Sequence, residues 1–159
     1  MQIKVGFGYD MHELIEGRDF IVGGVKIDHI KGLQGHSDAD VLIHAICDAL
    51  LGAANLRDIG YNFPDTSVDY KNIDSTILLR KTVELLKDKG YSIGNIDSTV
   101  CAEKPKLNPY IAIMQKRLAE VMDIAKDDIS IKATTSEKMG FVGREEGITA
   151  YAVVLIQKK

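Results

Sequence analysis

The chain begins with a segment in which apolar residues alternate with polar or small ones. In MQIKVGFGYDMHEL the apolar side chains occupy every second position from Ile3 to Tyr9. Alternation with a period of two is typical of a half-buried β-strand, and we predict one over residues 2–12. Side chains two positions apart share one face of a strand, so Asp10 and His12 should point to the same side.

Turn and strand signals predict further strands along the chain. DFIVGGVKI contains two short apolar runs around a glycine pair, which favours a β-hairpin that turns at Gly23-Gly24. Strands are also predicted over residues 93–103 and in the segments ISIKATT and ITAYAVVLIQ. Because a hairpin pairs its strands antiparallel, at least part of the sheet should be antiparallel.

Three segments have the pattern and the end signals of helices. The first covers residues 37–53, and the second covers residues 74–89 and is followed by a glycine. A third helix should begin with Asn108 as its cap and Pro109 in its first turn. We therefore predict an α+β fold in which one mixed or antiparallel sheet is covered by helices on one face.

The composition narrows the class of protein. With 159 residues, 45% hydrophobic and 27% charged, the chain should form a single domain over residues 1–159 with its own core. A net charge of −3 without a basic tract argues against nucleic acid as a partner. No apolar run approaches the roughly 20 residues of a membrane span. With no evident signal peptide, and with Cys47 and Cys101 in apolar surroundings, we expect a cytoplasmic protein with reduced thiols.

The first helical segment carries charged residues in an apolar setting. HSDADVLIHAICDALLGAA is apolar on nearly every side, which predicts a buried helix, and Ser37 with Asp40 forms a capping-box pattern at its start. Asp40, His44 and Asp48 are spaced four apart and share one helix face. Since buried ionisable groups are costly unless paired or ligated, this stripe is either a structural hydrogen-bond network or a source of metal ligands.

A metal site would explain both the Asp40–His44–Asp48 stripe and the Asp10–His12 pair of the first strand. Asp10, His12 and His44 would supply three ligands of the types that zinc binds, with a fourth position left open as in catalytic zinc sites. Asp40 or Asp48 would then orient the His44 imidazole.

Three other segments have the composition of phosphate or nucleotide contacts. Thr134, Thr135 and Ser136 offer hydroxyls at a strand end, with Glu137 beside them to hold a hydrated magnesium ion. His36 directly precedes the predicted first helix, where free amides and the helix dipole favour an anion. The proline-stiffened loop CAEKPKLNP can present a fixed row of backbone groups. Each segment also has an ordinary explanation, as a polar turn, an exposed loop histidine or a connection.

Four segments, in this order, resemble one enzyme family. GYDMH, GHSDADVLIHAICDALLGAANLRDIGYNFPDT, AEKPKLNP and KATTSEKMGFVGREEG are similar to the 2-C-methyl-D-erythritol 2,4-cyclodiphosphate synthase family, and the resemblance covers essentially the whole chain. It implies that 4-diphosphocytidyl-2-C-methyl-D-erythritol 2-phosphate is converted to a cyclic 2,4-diphosphate with release of CMP, in the non-mevalonate isoprenoid pathway. It also implies a homotrimer with active sites between subunits and with its sheets facing the three-fold axis.

The resemblance further implies two kinds of metal site. Zn²⁺ would be bound by Asp10, His12 and His44. Mg²⁺ or Mn²⁺ would be held by Glu137 together with the substrate phosphates.

Catalytic and substrate-binding roles are implied in the same way. His36 and Thr135 would stabilise the transition state, and residues 63–67 would form a flexible loop over the substrate. The implied substrate contacts are Asp10, His12, His36, Ser37, Asp58, Ile59, Gly60, Phe63, Pro64, Asp65, Thr66, Ser67, Ala102, Glu103, Lys104, Pro105, Lys106, Leu107, Asn108, Thr134, Thr135, Ser136, Glu137, Phe141 and Arg144.

Four positions depart from the pattern of the family. Ser136 stands where threonine is frequent, and Ser67 stands where a second aspartate often follows FPDT. Glu103 and Lys104 replace a small uncharged pair in the loop that would recognise cytosine. Because that recognition would be mostly by backbone groups, we expect these two side chains to matter little.

Two other functions are compatible with the residues alone. A metal-dependent phosphohydrolase of a nucleotide-linked substrate would use the Asp-His-His metal to activate water. A non-enzymatic trimeric binding module would use the histidines only for structure. The synthase needs no activated serine or cysteine, because its substrate carries the nucleophile and catalysis is mainly positioning and charge stabilisation.

Overall fold

The computed structural model describes residues 1–158 of the chain. Within this range seven strands, β1 to β7 in chain order, span Gln2–Glu16, Phe20–Val22, Val25–Ile27, Lys31–Leu33, Ser92–Cys101, Ile129–Thr134 and Gly147–Lys158. Five of them form one sheet in the order β4-β1-β7-β5-β6, and only β5 and β6 run parallel. The predicted α+β fold with a mixed sheet is confirmed, and β1 continues beyond its predicted end to Glu16.

Helices cover one face of the five-stranded sheet. Within residues 1–158, α1 to α5 span Val41–Ala53, Ile59–Asn62, Ser75–Asp88, Ile111–Met122 and Gly140–Gly143, and 3-10 turns span Val68–Tyr70, Asn108–Tyr110 and Lys126–Asp128. As its apolar sequence predicts, α1 is buried, and it packs on β1 and β7 and against α3. The core therefore lies around α1.

The start of α1 differs from the prediction. The helix begins at Val41, and its cap is Asp40, whose carboxylate accepts the Ile43 N–H at 3.1 Å. Ser37 instead accepts the Ala39 N–H at 3.1 Å. Ala39 has a φ of 58°, a left-handed conformation that a right-handed helix cannot contain, so the helix does not extend back to Ser37.

The start of α4 also differs from the prediction. Asn108 begins a 3-10 turn rather than capping an α-helix, and no side chain caps that turn. Pro109 lies in the first turn as predicted, and α4 follows from Ile111.

The hairpin is confirmed, but it stands apart from the main sheet. β2 and β3 pair antiparallel around Gly23 and Gly24, whose φ values of 62° and 71° fit a two-residue turn. The Asp40 carboxylate accepts the N–H groups of both glycines, at 2.9 and 2.7 Å. One buried side chain thus caps α1 and fixes the hairpin against it.

Two glycines allow the backbone of β1 to touch the backbone of α1. A Cβ atom at Gly6 would lie 1.9 Å from the carbonyl oxygen of Ala49, and one at Gly8 would lie 1.8 Å from that of Ala45. Neither distance is compatible with any side chain larger than hydrogen. The two glycines therefore set the separation of the strand from the helix.

The apolar side chains that marked β1 in the sequence point away from the helices. Ile3, Val5 and Phe7 are 54%, 66% and 64% exposed, and Tyr9 and Met11 continue the same exposed row. The alternation thus identifies the strand, while the face it buries within one chain is the one with the small and polar residues. The large apolar side chains of β1 therefore form an exposed row on the outer face of the sheet.

None of the helices in residues 1–158 has the length and apolar character needed to cross a membrane.

The close contact between β1 and α1 predicts a large difference between two glycine-to-alanine substitutions. Gly8→Ala should reduce the free energy of unfolding by about 3 kcal/mol, the upper range for overpacking, because the strand must move off the helix. Gly52→Ala is the control: nothing lies within 4 Å of its added Cβ, and alanine suits a helix better by roughly 0.5–1 kcal/mol.

Urea unfolding followed by circular dichroism, at one protein concentration, measures both effects. Equal stability of the two variants would show that the β1–α1 contact is not as tight as described.

Candidate active site

Three side chains from β1 and α1 converge at one point. Asp10 and His12 lie on the helix-facing side of β1, as the alternation predicted, and His44 lies one turn into α1. Oδ2 of Asp10 is 2.9 Å from Nε2 of His12 and 3.2 Å from Nδ1 of His44, and the two nitrogens are 3.3 Å apart. Three potential ligand atoms therefore face one another.

The outward-facing ring nitrogens of both histidines are also engaged. Nδ1 of His12 lies 2.8 Å from the carbonyl oxygen of Gln34, to which it can only donate, so Nε2 keeps its lone pair for the cluster. Nε2 of His44 lies 3.2 Å from Oγ of Ser37 and 3.0 Å from Oγ of Ser75. Such outer hydrogen bonds orient histidine ligands in metal sites.

The carboxylate of Asp38 is connected to His44 by hydrogen bonds through Ser75. The Ser75 hydroxyl donates to Oδ1 of Asp38, and the Ser75 N–H donates to Oδ2 of the same residue at 3.0 Å. Sequence reasoning missed Asp38 and Ser75, which lie far apart in the chain and share no periodic signal. The only hint was that both belong to segments that begin helices.

The expected orientation of His44 by Asp40 or Asp48 is wrong. Asp40 is used by the α1 cap and the hairpin, and Asp48 accepts the Ile59 N–H at 2.8 Å and so holds the start of α2. Burial raises the pKa of Asp48, and burial with the nearby Asp38 raises that of Asp40 to about 6. Of the predicted stripe, only His44 reaches the cluster.

Contacts within the cluster shift the pKa values of Asp10 and His12. Burial alone would raise the pKa of Asp10, but its close contacts and charge interactions with His12 and His44 outweigh burial and lower the pKa to about 2. Burial alone would lower the pKa of His12, but its contact with Asp10 outweighs burial and raises it. The carboxylate is thus held ionised, as a metal ligand must be.

The donor set fits a metal ion. Oδ2 of Asp10 is buried without a hydrogen bond of good geometry, and the three ligand atoms all lie within 4.8 Å of one another. Two imidazole nitrogens and one carboxylate oxygen are the ligands of many catalytic zinc sites. Asp10, His12 and His44 can therefore hold a metal ion, and residues 1–158 contain no second group of this kind.

The cluster opens into a cleft of about 280 Å³. Its walls bring together several predicted site residues: His36, Ser37, Ile59, Gly60, Phe63 and Asp65. His36 is not at a helix N-terminus as expected, because α1 starts later, and its Nε2 instead lies 3.2 Å from the Ser67 carbonyl oxygen.

The segment that follows α1 forms one side of this cleft. Phe63 is buried and packs edge-on against Tyr70, with ring centroids 5.7 Å apart. Asp58 accepts the Tyr61 N–H at 2.8 Å and caps α2, so its carboxylate stabilises the start of that helix. Pro64 and Thr66 are exposed in the same segment.

Other predicted site residues lie around a second, smaller cleft. It has about 150 Å³ and is lined by Ala102, Pro105, Lys106, Leu107, Asn108, Ala133, Thr134 and Thr135. These residues stand at or just beyond the carboxyl ends of β5 and β6, a usual place for ligands beside parallel strands. Ser136 and Glu137 follow directly in the chain.

The remaining predicted contacts surround these loops. Lys104 lies 3.5 Å from a carboxylate oxygen of Glu145, and Arg144 donates to Glu146 at 2.8 Å. Phe141 lies in α5, beside Gly147 at the start of β7.

The two clefts are separated within one chain. Across the sheet, Met11 of β1 pairs with Thr149 of β7, Thr149 pairs with Cys101 of β5, and Cys101 pairs with Thr134 of β6. Three strand spacings amount to about 14 Å, so the cluster of Asp10, His12 and His44 does not contact the Thr134 segment of the same chain.

Comparisons with known proteins agree with this geometry. The model of the YgbB family matches residues 3–157. A Bacteroides fragilis protein named 2-C-methyl-D-erythritol 2,4-cyclodiphosphate synthase is 70% identical over 158 residues, covering 99% of each chain. A Porphyromonas gingivalis protein of the same name is 63% identical over 153 residues, covering 96% of this chain and 94% of the relative.

Solved structures share the fold over nearly the whole chain. The Plasmodium falciparum IspF complex with CDP superposes with a TM-score of 0.86 at 36% identity, covering 99% of this chain and 97% of that one. The bifunctional IspDF from Campylobacter jejuni gives a TM-score of 0.95 at 41% identity, covering 99% of this chain and 43% of that one. The family match and these identities show that the chain belongs to the YgbB family.

Proposed function

We propose that this chain is a 2-C-methyl-D-erythritol 2,4-cyclodiphosphate synthase. The observation that carries the proposal is the convergence of Asp10, His12 and His44 at the floor of a cleft, in a chain 70% identical to a protein of that name. The substrate is 4-diphosphocytidyl-2-C-methyl-D-erythritol 2-phosphate. The enzyme is a phosphorus–oxygen lyase of isoprenoid precursor synthesis.

The reaction is an intramolecular phosphoryl transfer. An oxygen of the 2-phosphate attacks the β-phosphorus, the bond from that phosphorus to the CMP oxygen breaks, and CMP leaves while a cyclic diphosphate forms. Because the nucleophile belongs to the substrate, the protein has to position the phosphates and balance their charge. The chain has a net charge of −3, so bound cations are needed for that balance.

The first cleft holds the reacting phosphates in this proposal. Asp10, His12 and His44 would hold Zn²⁺, which would supply Lewis acidity and positive charge for the reacting phosphates. His36 and Ser37, on the wall of the same cleft, contact the phosphate end of the substrate. The segment from Ile59 to Asp65 contacts the sugar part and limits the access of water.

The second cleft binds the nucleotide. Backbone groups of residues 102–108 recognise cytosine, while Thr135 and Glu137 meet the phosphates, Glu137 through Mg²⁺ or Mn²⁺. Support comes from Ala102, residues 105–108 and Thr135, which line one cleft at the ends of parallel strands, and from the CDP bound to the Plasmodium falciparum relative. Phe141 and Arg144 extend the contact surface.

Since the two clefts lie apart in one chain, a complete site needs two subunits. We propose a homotrimer in which the metal cluster of one subunit faces the second cleft of its neighbour. The exposed apolar row of β1, with Tyr151 and Val153 of β7 beside it, supplies a surface for this assembly. Each subunit contributes one domain over residues 1–159.

A cytoplasmic location is part of the proposal. Both Cys47 and Cys101 are free thiols, as expected in a reducing compartment.

Removal of one metal ligand should abolish metal binding. His44→Ala takes one of three ligands from a site that exists only in the folded chain, so zinc affinity should fall by more than about 100-fold, and turnover with it. His29→Ala is the matched control, because His29 packs against Phe20 and lies outside the cluster. Plasma emission of dialysed protein and competition with a chelator give the zinc content and affinity. Stoichiometric zinc in His44→Ala would disprove the ligand assignment.

Shared active sites predict complementation between inactive variants. His44→Ala disables the first cleft and Glu137→Ala the second, so each homotrimer should be inactive. Random mixing leaves about a quarter of the subunit junctions with both intact partners, and activity should return to roughly that level. Native mass spectrometry verifies that mixed trimers have formed. Mixed trimers without activity would place each site within a single chain.

Isotope labelling separates a synthase from a phosphohydrolase. The tethered 2-phosphate has an effective concentration on the order of 10⁵ M or more when well oriented, so it should outcompete water. Turnover in heavy-oxygen water should therefore leave both CMP and the erythritol product unlabelled by mass spectrometry. Chemical hydrolysis of the substrate in the same water is the positive control. One labelled oxygen per turnover in a linear phosphate would establish hydrolysis.

A further inference from the structure

Glu103 connects the two loops that follow the parallel strands β5 and β6. Its Oε1 atom accepts the N–H of Ser136 at 3.0 Å and the N–H of Lys138 at 3.2 Å, and it lies 3.3 Å from the hydroxyl oxygen of Ser136. These contacts contradict the expectation that the Glu103 side chain matters little. The sequence showed only a charged residue in place of a small one, and it gave no sign of the partner loop.

The loop that Glu103 holds is conformationally strained. Glu137 and Lys138 have φ values of 55° and 61°, and two successive left-handed residues with side chains are unfavourable. The loop is also tight, because the Ser136 hydroxyl donates to the Met139 carbonyl at 2.7 Å. Such a conformation persists only where surrounding contacts impose it.

The N–H donors of this loop that bind Glu103 lie on either side of Glu137 in the chain. The N–H groups on either side of it, from Ser136 and Lys138, bind Glu103, and the N–H of Glu137 itself lies 3.3 Å from Oγ1 of Thr135. Three successive amide groups are thereby satisfied by two side chains. The Glu103 carboxylate therefore restrains the backbone that carries Thr135 and Glu137.

The residues that line the second cleft do not include Glu103. Its neighbours Ala102, Pro105 and Lys106 do line that cleft. The Lys138 and Ser136 N–H groups lower the pKa of Glu103, so its carboxylate is ionised at neutral pH and accepts strongly. Its contacts with the protein are directed to the loop.

We propose that Glu103 is a positioning residue, which holds the Thr135–Glu137 segment in the geometry that the phosphates require while the 102–108 loop binds the nucleotide. This inference rests on the proposed function. Glu103 lies in the 102–108 loop, which binds the nucleotide, and its carboxylate accepts hydrogen bonds from the Ser136–Lys138 loop, which meets the phosphates. One side chain therefore joins the two loops. Phosphoryl transfer is sensitive to such placement, since a shift of about 1 Å can cost roughly 100-fold in rate.

Two variants of Glu103 and one control test the proposal. Glu103→Ala removes the acceptor, whereas Glu103→Gln keeps the shape and one acceptor oxygen. Asp97→Ala is the control, because Asp97 also joins β5 to β6 by an exposed carboxylate, which lies 2.6 Å from Lys132, but far from both loops in the sheet register. The measurements are kcat, KM, CMP affinity by calorimetry, the thermal midpoint and amide hydrogen exchange of residues 136–138.

Glu103→Ala should lower kcat by about 10- to 100-fold, with CMP affinity and the thermal midpoint close to those of the parent. Exchange at Ser136 and Lys138 should accelerate. Glu103→Gln should recover most of kcat and of the protection, and Asp97→Ala should resemble the parent throughout.

Three results would overturn the role of Glu103. These are an unchanged kcat in Glu103→Ala, a parallel loss of CMP affinity and thermal midpoint, or no recovery in Glu103→Gln. Failure of the proposed function is a separate result, because the parent protein would then form no cyclic product. The positioning role would fall with it, while the exchange rates would still show whether Glu103 holds the loop.

Discussion

The backbone contact between β1 and α1 determines where the metal ligands lie. Gly6 touches the carbonyl of Ala49 and Gly8 touches that of Ala45, so the strand and the helix run in opposite directions. Two strand residues advance about 6.7 Å and four helix residues about 6 Å, which keeps the two elements in step. The next strand position on this face is Asp10, whose carboxylate lies 3.2 Å from Nδ1 of His44.

The same contact explains why the strand is apolar on its outer side. A helix this close leaves no room for side chains at Gly6 and Gly8, so the large apolar residues of β1 occupy the opposite face. An exposed row of this kind is unfavourable in water and favours association. The contact that brings Asp10, His12 and His44 together therefore also leaves the apolar face of β1 exposed.

The polar residues of α1 show how one helix serves several parts of the structure. Asp40 caps the helix and holds the hairpin, His44 turns to β1, and Asp48 holds the start of α2. Ser37 and Ser75 complete the surroundings of His44, and Asp38 acts behind Ser75. These hydrogen bonds pair the polar side chains of α1 and fix the positions of the segments that line the cleft.

The sequence by itself determined the α+β class, the hairpin at Gly23-Gly24, the buried helix and the shared face of Asp10 and His12, because periodicity and turn chemistry are local properties. The family resemblance supplied the functional residues. Local pattern could not reveal that Ala39 delays the helix start, that β1 buries its glycine face, or that Asp38 with Ser75 replaces Asp40 and Asp48 beside His44. It also could not show that Glu103 reaches the Ser136–Lys138 loop. These outcomes depend on contacts between segments distant in sequence, and only packing in three dimensions decides them.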